Sequence, residues 1–131
     1  MNKVCAFLIS GILFLGGFAG LSALGDQSTK IAVASQGNTV EAQVAKQGAR
    51  CAWLMFFDAE GTLMETLENP YQQASGAAGA QCAAFLADKG ATVFAAGNVG
   101  NRMAGELERL NIEFVSITGT VKDAVTYILN R

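Results

Sequence analysis

The residues of this 131-residue chain that are best suited to chemistry form a glycine turn rather than a set of catalytic side chains. Residues 97–100 read Gly-Asn-Val-Gly, and they follow the short apolar run Val93–Ala96. A helical pattern starts near Arg102, so the turn is predicted to join a buried strand to a helix. The first N–H groups of a helix lack partners within it, and together with the helix dipole they attract anions. The turn therefore predicts an anion-binding site.

Two similar turns, residues 76–79 (Gly-Ala-Ala-Gly) and residues 119–120 (Gly-Thr), also precede predicted helices. In open α/β sheets, ligands bind in the crevice where the carboxyl ends of strands meet such helix starts. Arg50 and Arg102 can add positive charge there. The candidate cofactor-binding residues are Arg50, Cys51, Gly76, Gly79, Gly97, Asn98, Gly100 and Gly119. The alternative interpretation is that the glycines serve only to form tight turns.

Cys51 and Cys82 are the two cysteines that follow the apolar N-terminal stretch. Cys51 comes directly after Arg50, whose charge is expected to lower the pKa of the thiol. It is therefore the candidate for a metal-ligating or redox-active thiol. Cys82 shares an apolar helix stripe with Phe85 and Leu86, which predicts a buried small hydrophobic residue. An oxidising compartment would permit a Cys51–Cys82 disulfide, and the sequence leaves that open.

Several classes of function lack the residues that they need. The chain has no histidine and no Cys-x-x-Cys pair, so neither a closed zinc site nor a histidine-dependent hydrolase is expected. Residues 76–82 lack the lysine of a phosphate-binding P-loop. Without residues 1–25, eight Lys and Arg face eleven Asp and Glu, and this net charge of −3 argues against nucleic acid as a partner. We predict that the protein is not an enzyme and has neither catalytic residues nor a dedicated set of metal ligands.

Residues 4–24 form an uncharged stretch of 21 residues, with Lys3 before it and Asp26 after it. At roughly 1.5 Å per residue, a helix of this length would be about 30 Å long and could cross a bilayer. Positive charge stays on the cytoplasmic side, so the rest of the chain is predicted to be exported, to the periplasm or to the outer face of the inner membrane. Residues 1–25 are either a signal peptide cleaved after Ala23-Leu24-Gly25 or an uncleaved membrane anchor.

The remaining domain, residues 30–131, alternates between strand and helix patterns. Strands are predicted over residues 30–34, 51–58, 62–68, 92–96 and 113–118. Helices are predicted over residues 76–89, 102–110 and from Val121 onward. The second and third strands form a hairpin around Glu60-Gly61, and Thr120 with Asp123 forms a capping box. Helical crossovers between the later strands imply a mixed, largely parallel sheet with helices on its faces.

These segments together resemble the dinitrogenase iron–molybdenum cofactor biosynthesis family. The resemblance covers residues 30–129 and includes residues 30–34, residues 48–58 and the Asn69-Pro70 pair. It is most specific at residues 86–90 (Leu-Ala-Asp-Lys-Gly), 97–100 and 116–121 (Ser-Ile-Thr-Gly-Thr-Val). The resemblance implies a three-layer, ribonuclease-H-like α/β fold, with a five-stranded mixed sheet in the order 3-2-1-4-5 and helices on both faces.

The resemblance also implies a function. Members of the family are non-enzymatic modules that bind or carry anionic metal–sulfur clusters or molybdenum-containing cofactor precursors. The expected cargo is therefore a sulfur cluster that contains molybdenum, iron or copper, with a protein partner of unknown identity. If residues 4–24 are not cleaved, the membrane is a further partner.

Two departures from the family pattern support an alternative. Family members often read Ser-Glu-His-Phe-Gly-Arg-Ala before the second strand, where residues 45–51 read Ala-Lys-Gln-Gly-Ala-Arg-Cys. Arg50 matches, whereas Gln47 replaces histidine, the commonest metal ligand. The predicted export is the second departure, since cofactor assembly for nitrogenase would be cytoplasmic. The alternative is an exported structural or protein-interaction domain that retains the fold but has lost the cluster site.

Overall fold

Residues 29–74 and 76–131, which are the residues that the computed structural model describes, contain five strands and three helices. The strands are β1 (Ile31–Ser35), β2 (Trp53–Phe57), β3 (Leu63–Glu68), β4 (Val93–Ala96) and β5 (Glu113–Ser116). The helices are α1 (Ala78–Asp88), α2 (Asn101–Arg109) and α3 (Val121–Asn130). The predicted signal peptide or anchor, with its apolar helix, lies outside the described residues. No helix among the described residues is both long and apolar enough to cross a membrane.

The strands form one mixed sheet in the order β3-β2-β1-β4-β5, which confirms the predicted order. β4 is parallel to both β1 and β5, and β2 is antiparallel to both β1 and β3. Ile31 pairs with Phe57 and Val93, and Phe57 in turn pairs with Leu63. We call this end of the sheet, where β1, β3, β4 and β5 begin, the amino end. The opposite end, where β1, β4 and β5 finish, is the carboxyl end.

Both faces of the sheet are covered because its side chains alternate between two apolar layers. In β1, Ala32 and Ala34 pack in the layer with α1 and α2, whereas Ile31 and Val33 pack in the layer with α3. The central strands β1 and β4 are buried along their whole length, as the apolar sequence runs predicted. Trp53 is only half-buried because it opens β2 at the carboxyl end of the sheet.

Local sequence signals set the connections between these elements. In the β2–β3 hairpin, Asp58 Oδ1 accepts hydrogen bonds from the N–H groups of Glu60 and Thr62, each at 2.9 Å. Gly90 ends α1 with φ +82°, a conformation that glycine adopts without strain. The Thr120 hydroxyl accepts a hydrogen bond from the Asp123 N–H at 3.1 Å, which confirms the predicted cap of α3.

This cap can be tested by a pair of substitutions. Thr120→Ala should lower the free energy of unfolding by about 1 kcal/mol, because the Asp123 N–H loses its acceptor. Thr120→Ser keeps a hydroxyl at the same place and should retain most of the stability. Urea unfolding of the two variants and the wild type measures the difference, and equal stabilities would contradict a capping role.

Candidate functional site

A cleft of about 450 Å³ opens at the carboxyl end of the sheet. It is lined by residues 47–50, 77–79 and 98–100, together with Arg102 and Met103 from the first turn of α2. The residues after β4 turn directly into α2, so the cleft forms where a parallel strand ends and a helix begins. This is the place where ligands of open α/β sheets bind. Its volume is in the range of small-molecule sites, which is roughly 300–1,000 Å³.

The starts of α1 and α2 both border this cleft. The residues that precede them, Ala77 and Gly100, carry no side chain that can accept a hydrogen bond, and neither first turn contains an acidic residue. α3 differs, because it has the Thr120 cap and Asp123 in its first turn. Each uncapped start presents unpaired N–H groups and the positive end of a helix dipole, equivalent to roughly half an elementary charge. The starts of the two helices at the cleft therefore attract anions. At the start of α3, the Thr120 cap and Asp123 already provide an acceptor and a negative charge.

Ala77 has a strained backbone at the edge of the cleft. Its φ and ψ are +54° and +19°, in the left-handed region, which costs roughly 1–2 kcal/mol for a residue other than glycine. Strain of this kind concentrates at ligand-binding and catalytic sites. Sequence reasoning missed this residue because alanine gives no signal for a positive φ.

Close packing of α1 against α2 brings the two helix starts together. A Cβ atom on Gly79 would lie 2.9 Å from the Met103 Cβ and 3.3 Å from its backbone. Only a residue without a side chain allows the first turns of the two helices to approach this closely. Gly79, predicted from sequence as a binding residue, thus acts as a spacer that shapes the cleft.

Arg50 and Arg102 are the two charged residues of the cleft lining, and both are exposed. Arg50 Nη1 donates to the carbonyl oxygens of Gln72 and Ala74, at 3.2 and 2.8 Å. Within residues 29–74 and 76–131, neither arginine forms an ion pair. Carbonyl oxygens orient a guanidinium without neutralising it, so the positive charge of Arg50 stays available to an anion.

Asn69 holds the backbone on both sides of Arg50. Its buried Nδ2 donates to the carbonyl oxygens of Ala49 and Cys51, each at 2.9 Å. Residues 49–51 and 69–74 are therefore joined in both directions, by Asn69 from one segment and by Arg50 from the other. The sequence had indicated Asn69 only as part of the family resemblance, because a hydrogen bond over 20 residues leaves no local signal.

The other predicted residues divide into two groups. Asn98 and Gly100 line the cleft with Arg50 and Gly79. The remaining four do not line it: Cys51, Gly76, Gly97 and Gly119. Gly76 precedes the strained Ala77. Whether the predicted residues bind a ligand stays a prediction.

Gly97 and Gly119 have structural contacts instead. A Cβ on Gly97 would lie 2.9 Å from the Lys46 Cα, so this glycine lets residues 45–48 pack against the turn after β4. Its N–H donates to the Ala45 carbonyl, and the Gly48 N–H donates to the Asn98 carbonyl. Gly119, at φ +110°, accepts from the Val44 N–H and precedes α3 on the other face of the sheet. The expected third helix start is thus not part of the cleft.

The prediction of an acidified Cys51 thiol is wrong. Cys51 is 2% exposed, and burial raises its pKa to about 12, although hydrogen bonds from the Ser35 and Cys51 backbone and from Asn69 oppose the shift. Cys82 is fully buried, as predicted, and burial followed by the charge of a Cys51 thiolate raises its pKa to about 12. Both cysteines are free, so the structure contains no Cys51–Cys82 disulfide.

The donor set of the cleft fits an intact anion better than a bare metal ion. In the part of the chain that the structure describes, no group of three or more His, Cys, Asp or Glu residues could hold a metal. Cys51, the one predicted thiol ligand, lies in the core with a neutral side chain. The cleft offers N–H groups and guanidinium groups, which recognise an anion without replacing its own ligands.

The packing of α1 on α2 gives a matched test. Gly79→Ala should lower the free energy of unfolding by about 1–3 kcal/mol, because the new methyl group overlaps Met103. Gly105→Ala, in α2, meets no atom within 4 Å and should raise the stability by up to about 1 kcal/mol through helix propensity. Denaturant unfolding measures both, and changes of the same sign would contradict the proposed role of Gly79.

The buried thiols predict alkaline lability. Unfolded thiols ionise near pH 9.0 and the folded ones near 12, so the unfolded state releases its protons first as the pH rises. The stability should therefore be intact below pH 9.0 and fall above it, by up to about 1.4 kcal/mol per pH unit for each thiol. Urea unfolding across this range should show that the free energy of unfolding declines less steeply with pH for Cys51→Ala than for the wild type. Identical slopes would show that the Cys51 thiol does not cause the decline.

Comparison with known proteins gives consistent matches over the described domain. A family model described as dinitrogenase iron-molybdenum cofactor matches residues 29–131. The solved apo form of the orange protein from Desulfovibrio gigas is 29% identical, with a TM-score of 0.73 over 78% of this chain and 88% of that one. A Thermotoga protein of the DUF35 family is 26% identical, with a TM-score of 0.66 over 76% and 86%.

More distant relatives give information on the fold only. A protein from Methanocaldococcus jannaschii is 9% identical, with a TM-score of 0.57 over 78% of this chain and 88% of that one, and at this identity the likeness concerns the fold alone. No curated protein matches the chain.

Proposed function

The chain belongs to the dinitrogenase iron–molybdenum cofactor family, and from this premise we propose that its domain is a non-enzymatic module that binds or carries an anionic metal–sulfur cluster or a molybdenum-containing cofactor precursor. One observation carries the proposal. Two uncapped helix starts and two arginines without ion pairs among the described residues border the same cleft. Each of these features favours an anion, and together they favour a multiply charged one.

The charges of the cleft can be estimated. Each helix start contributes roughly half a positive charge, and each guanidinium contributes a full one, for about three positive charges. Among the described residues, no acidic side chain lines the cleft to offset them. A cluster that carries two or more negative charges would complement this field, although the domain as a whole has a net negative charge.

The cargo is proposed to bring its own ligands. Gln47 stands where the family has histidine, and Cys51 lies in the core, so the described lining of the cleft offers neither a histidine nor a thiol to a metal. A preassembled cluster with terminal sulfides or oxygens can be held through these outer atoms alone. This mode suits a carrier, because release breaks hydrogen bonds and no metal–protein bond.

The lining favours sulfide over oxygen on the surface of the cargo. Ala49, Ala77, Val99 and Met103 make part of the lining apolar. A small oxyanion would lose strong hydration on entering such a lining, whereas a thioanion is less strongly hydrated and loses less.

We further propose that this module acts outside the cytoplasm. The support is the sequence of residues 1–25, with its basic start and its long apolar stretch. An exported module would handle a cluster or precursor after its assembly, or would handle a different thioanion of the same chemistry.

The test is a titration of the purified full chain with tetrathiomolybdate, with and without copper(I), followed by visible absorption. New bands should appear on binding. Arg50→Gln and Arg102→Gln should each weaken binding about tenfold or more, because each removes a charge-assisted hydrogen-bond donor worth about 1.5–3 kcal/mol. Arg109→Gln is the matched control, because Arg109 is on α2 and is paired with Glu106 outside the cleft. Its affinity should equal that of the wild type.

Two outcomes would decide against the proposal. Equal affinities in all three variants would place any bound thioanion outside the cleft. An absence of binding would favour the alternative, a structural or interaction domain that retains the fold without the cluster site.

Molybdate in place of tetrathiomolybdate should bind more weakly, and a reversed preference would point to a general oxyanion site.

A further inference from the structure

The exposed large apolar side chains of the described residues lie at the amino end of the sheet. They are Leu63, Met64, Tyr127 and Leu129, with exposed fractions of 43, 57, 54 and 37%. Leu63 and Met64 are the first two residues of β3, and Tyr127 and Leu129 are in the last turn of α3. Their clustering distinguishes this end of the domain from the rest of its surface, because single exposed apolar residues are ordinarily scattered.

Two of these side chains, Leu63 and Leu129, share a groove. Leu63 and Leu129 line one groove of about 350 Å³ with Phe57 and Val125. A Cβ on Gly61, in the β2–β3 turn, would lie 2.9 Å from the Leu129 Cδ1, so the hairpin and the end of α3 touch. The groove rim carries Glu41, Glu60 and Lys122, a mixed set of charges that favours neither an acidic nor a basic partner.

The chain toward the N-terminus leaves the domain at this same end. Thr29, the first described residue, borders a hollow with Leu129, Ile128 and Val93. Four residues, 25–28, separate Thr29 from Leu24, the last residue of the apolar stretch. At no more than about 3.5 Å per residue, they hold Thr29 within about 17 Å of Leu24.

We propose that the amino end of the domain, with Leu63, Met64, Tyr127 and Leu129, lies on the surface of the bilayer that residues 4–24 span as an uncleaved anchor. The polar layer of a bilayer is about 5–7 Å deep on each side of its hydrocarbon core, so the short connection keeps Thr29 at or near that layer. Exposed leucine, methionine and tyrosine side chains suit this boundary, where apolar groups enter the acyl region and tyrosine stays at the headgroups.

A bilayer explains the exposed apolar side chains better than residues 4–24 folding back onto the amino end of the domain would. A groove of about 350 Å³ is far too small to bury an uncharged and mostly apolar stretch of 21 residues, so folding residues 4–24 onto the domain would leave most of them in water. The mixed charges of the rim give anionic lipids no advantage, so a zwitterionic membrane should suffice. The cleft is at the carboxyl end, and it would therefore face away from the membrane into the aqueous phase.

The proposal does not depend on what the cleft binds, and it is tested by fluorescence of the full chain in phosphatidylcholine nanodiscs with brominated lipids. Trp53, the single tryptophan, is first replaced by Trp53→Phe. A reporter is then introduced by Met64→Trp at the amino end or by Gln36→Trp, an exposed position just after β1 at the carboxyl end. The bromine atoms should quench and blue-shift the first reporter and leave the second unchanged.

Three results would overturn the proposal. They are equal quenching of both reporters, no quenching of the reporter at position 64, or preferential quenching at position 36. Intact mass of the protein from its native host is the second measurement: a chain that begins near residue 26 would show that no anchor remains. Circular dichroism of each variant excludes unfolding as the cause of a changed signal.

Discussion

The cleft depends on the close contact between the first turns of α1 and α2. This contact exists because Gly79 has no side chain where Met103 packs, at a separation of 2.9 Å from the position of its absent Cβ. A longer residue would push the helices apart and separate their two positive ends. The residues that precede these helices, Ala77 and Gly100, have no side chain that accepts a hydrogen bond from the first N–H groups. The close packing brings the two helix starts together, and the missing caps leave their N–H groups available to an anion.

A second layer of structure keeps the positive charge of the site exposed and unneutralised. Three other cations of the described residues are paired with carboxylates, as Lys89 is with Glu65 and Arg131 is with Glu113. Arg50 instead donates to main-chain carbonyls, and Asn69 fixes the peptide groups on either side of it. Neutral acceptors orient the guanidinium and leave its charge for a ligand. This arrangement gives the cleft a positive field that favours an anion.

The two ends of the sheet have different chemistry. The carboxyl end carries the cationic cleft, and the amino end carries exposed apolar side chains and the connection to residues 1–28. The parallel arrangement of β1, β4 and β5 produces this polarity, because it places the helix starts after the strands at one end and the end of α3 at the other. Two chemically different surfaces are therefore separated by the length of the sheet.

The sequence by itself determined the elements, their order and the family, because apolar periodicity, glycine turns and the Thr120 cap act over a few residues. It also indicated Arg50, Gly79, Asn98 and Gly100, which the fold brings to one cleft. Only the tertiary structure decided that Gly119 is on the other face, that Asn69 orients the Arg50 loop and that Cys51 is buried. The pKa of that thiol rises, although the neighbouring arginine predicted a fall, because desolvation depends on everything packed around a group. A local sequence pattern does not indicate which distant residues will pack around the thiol.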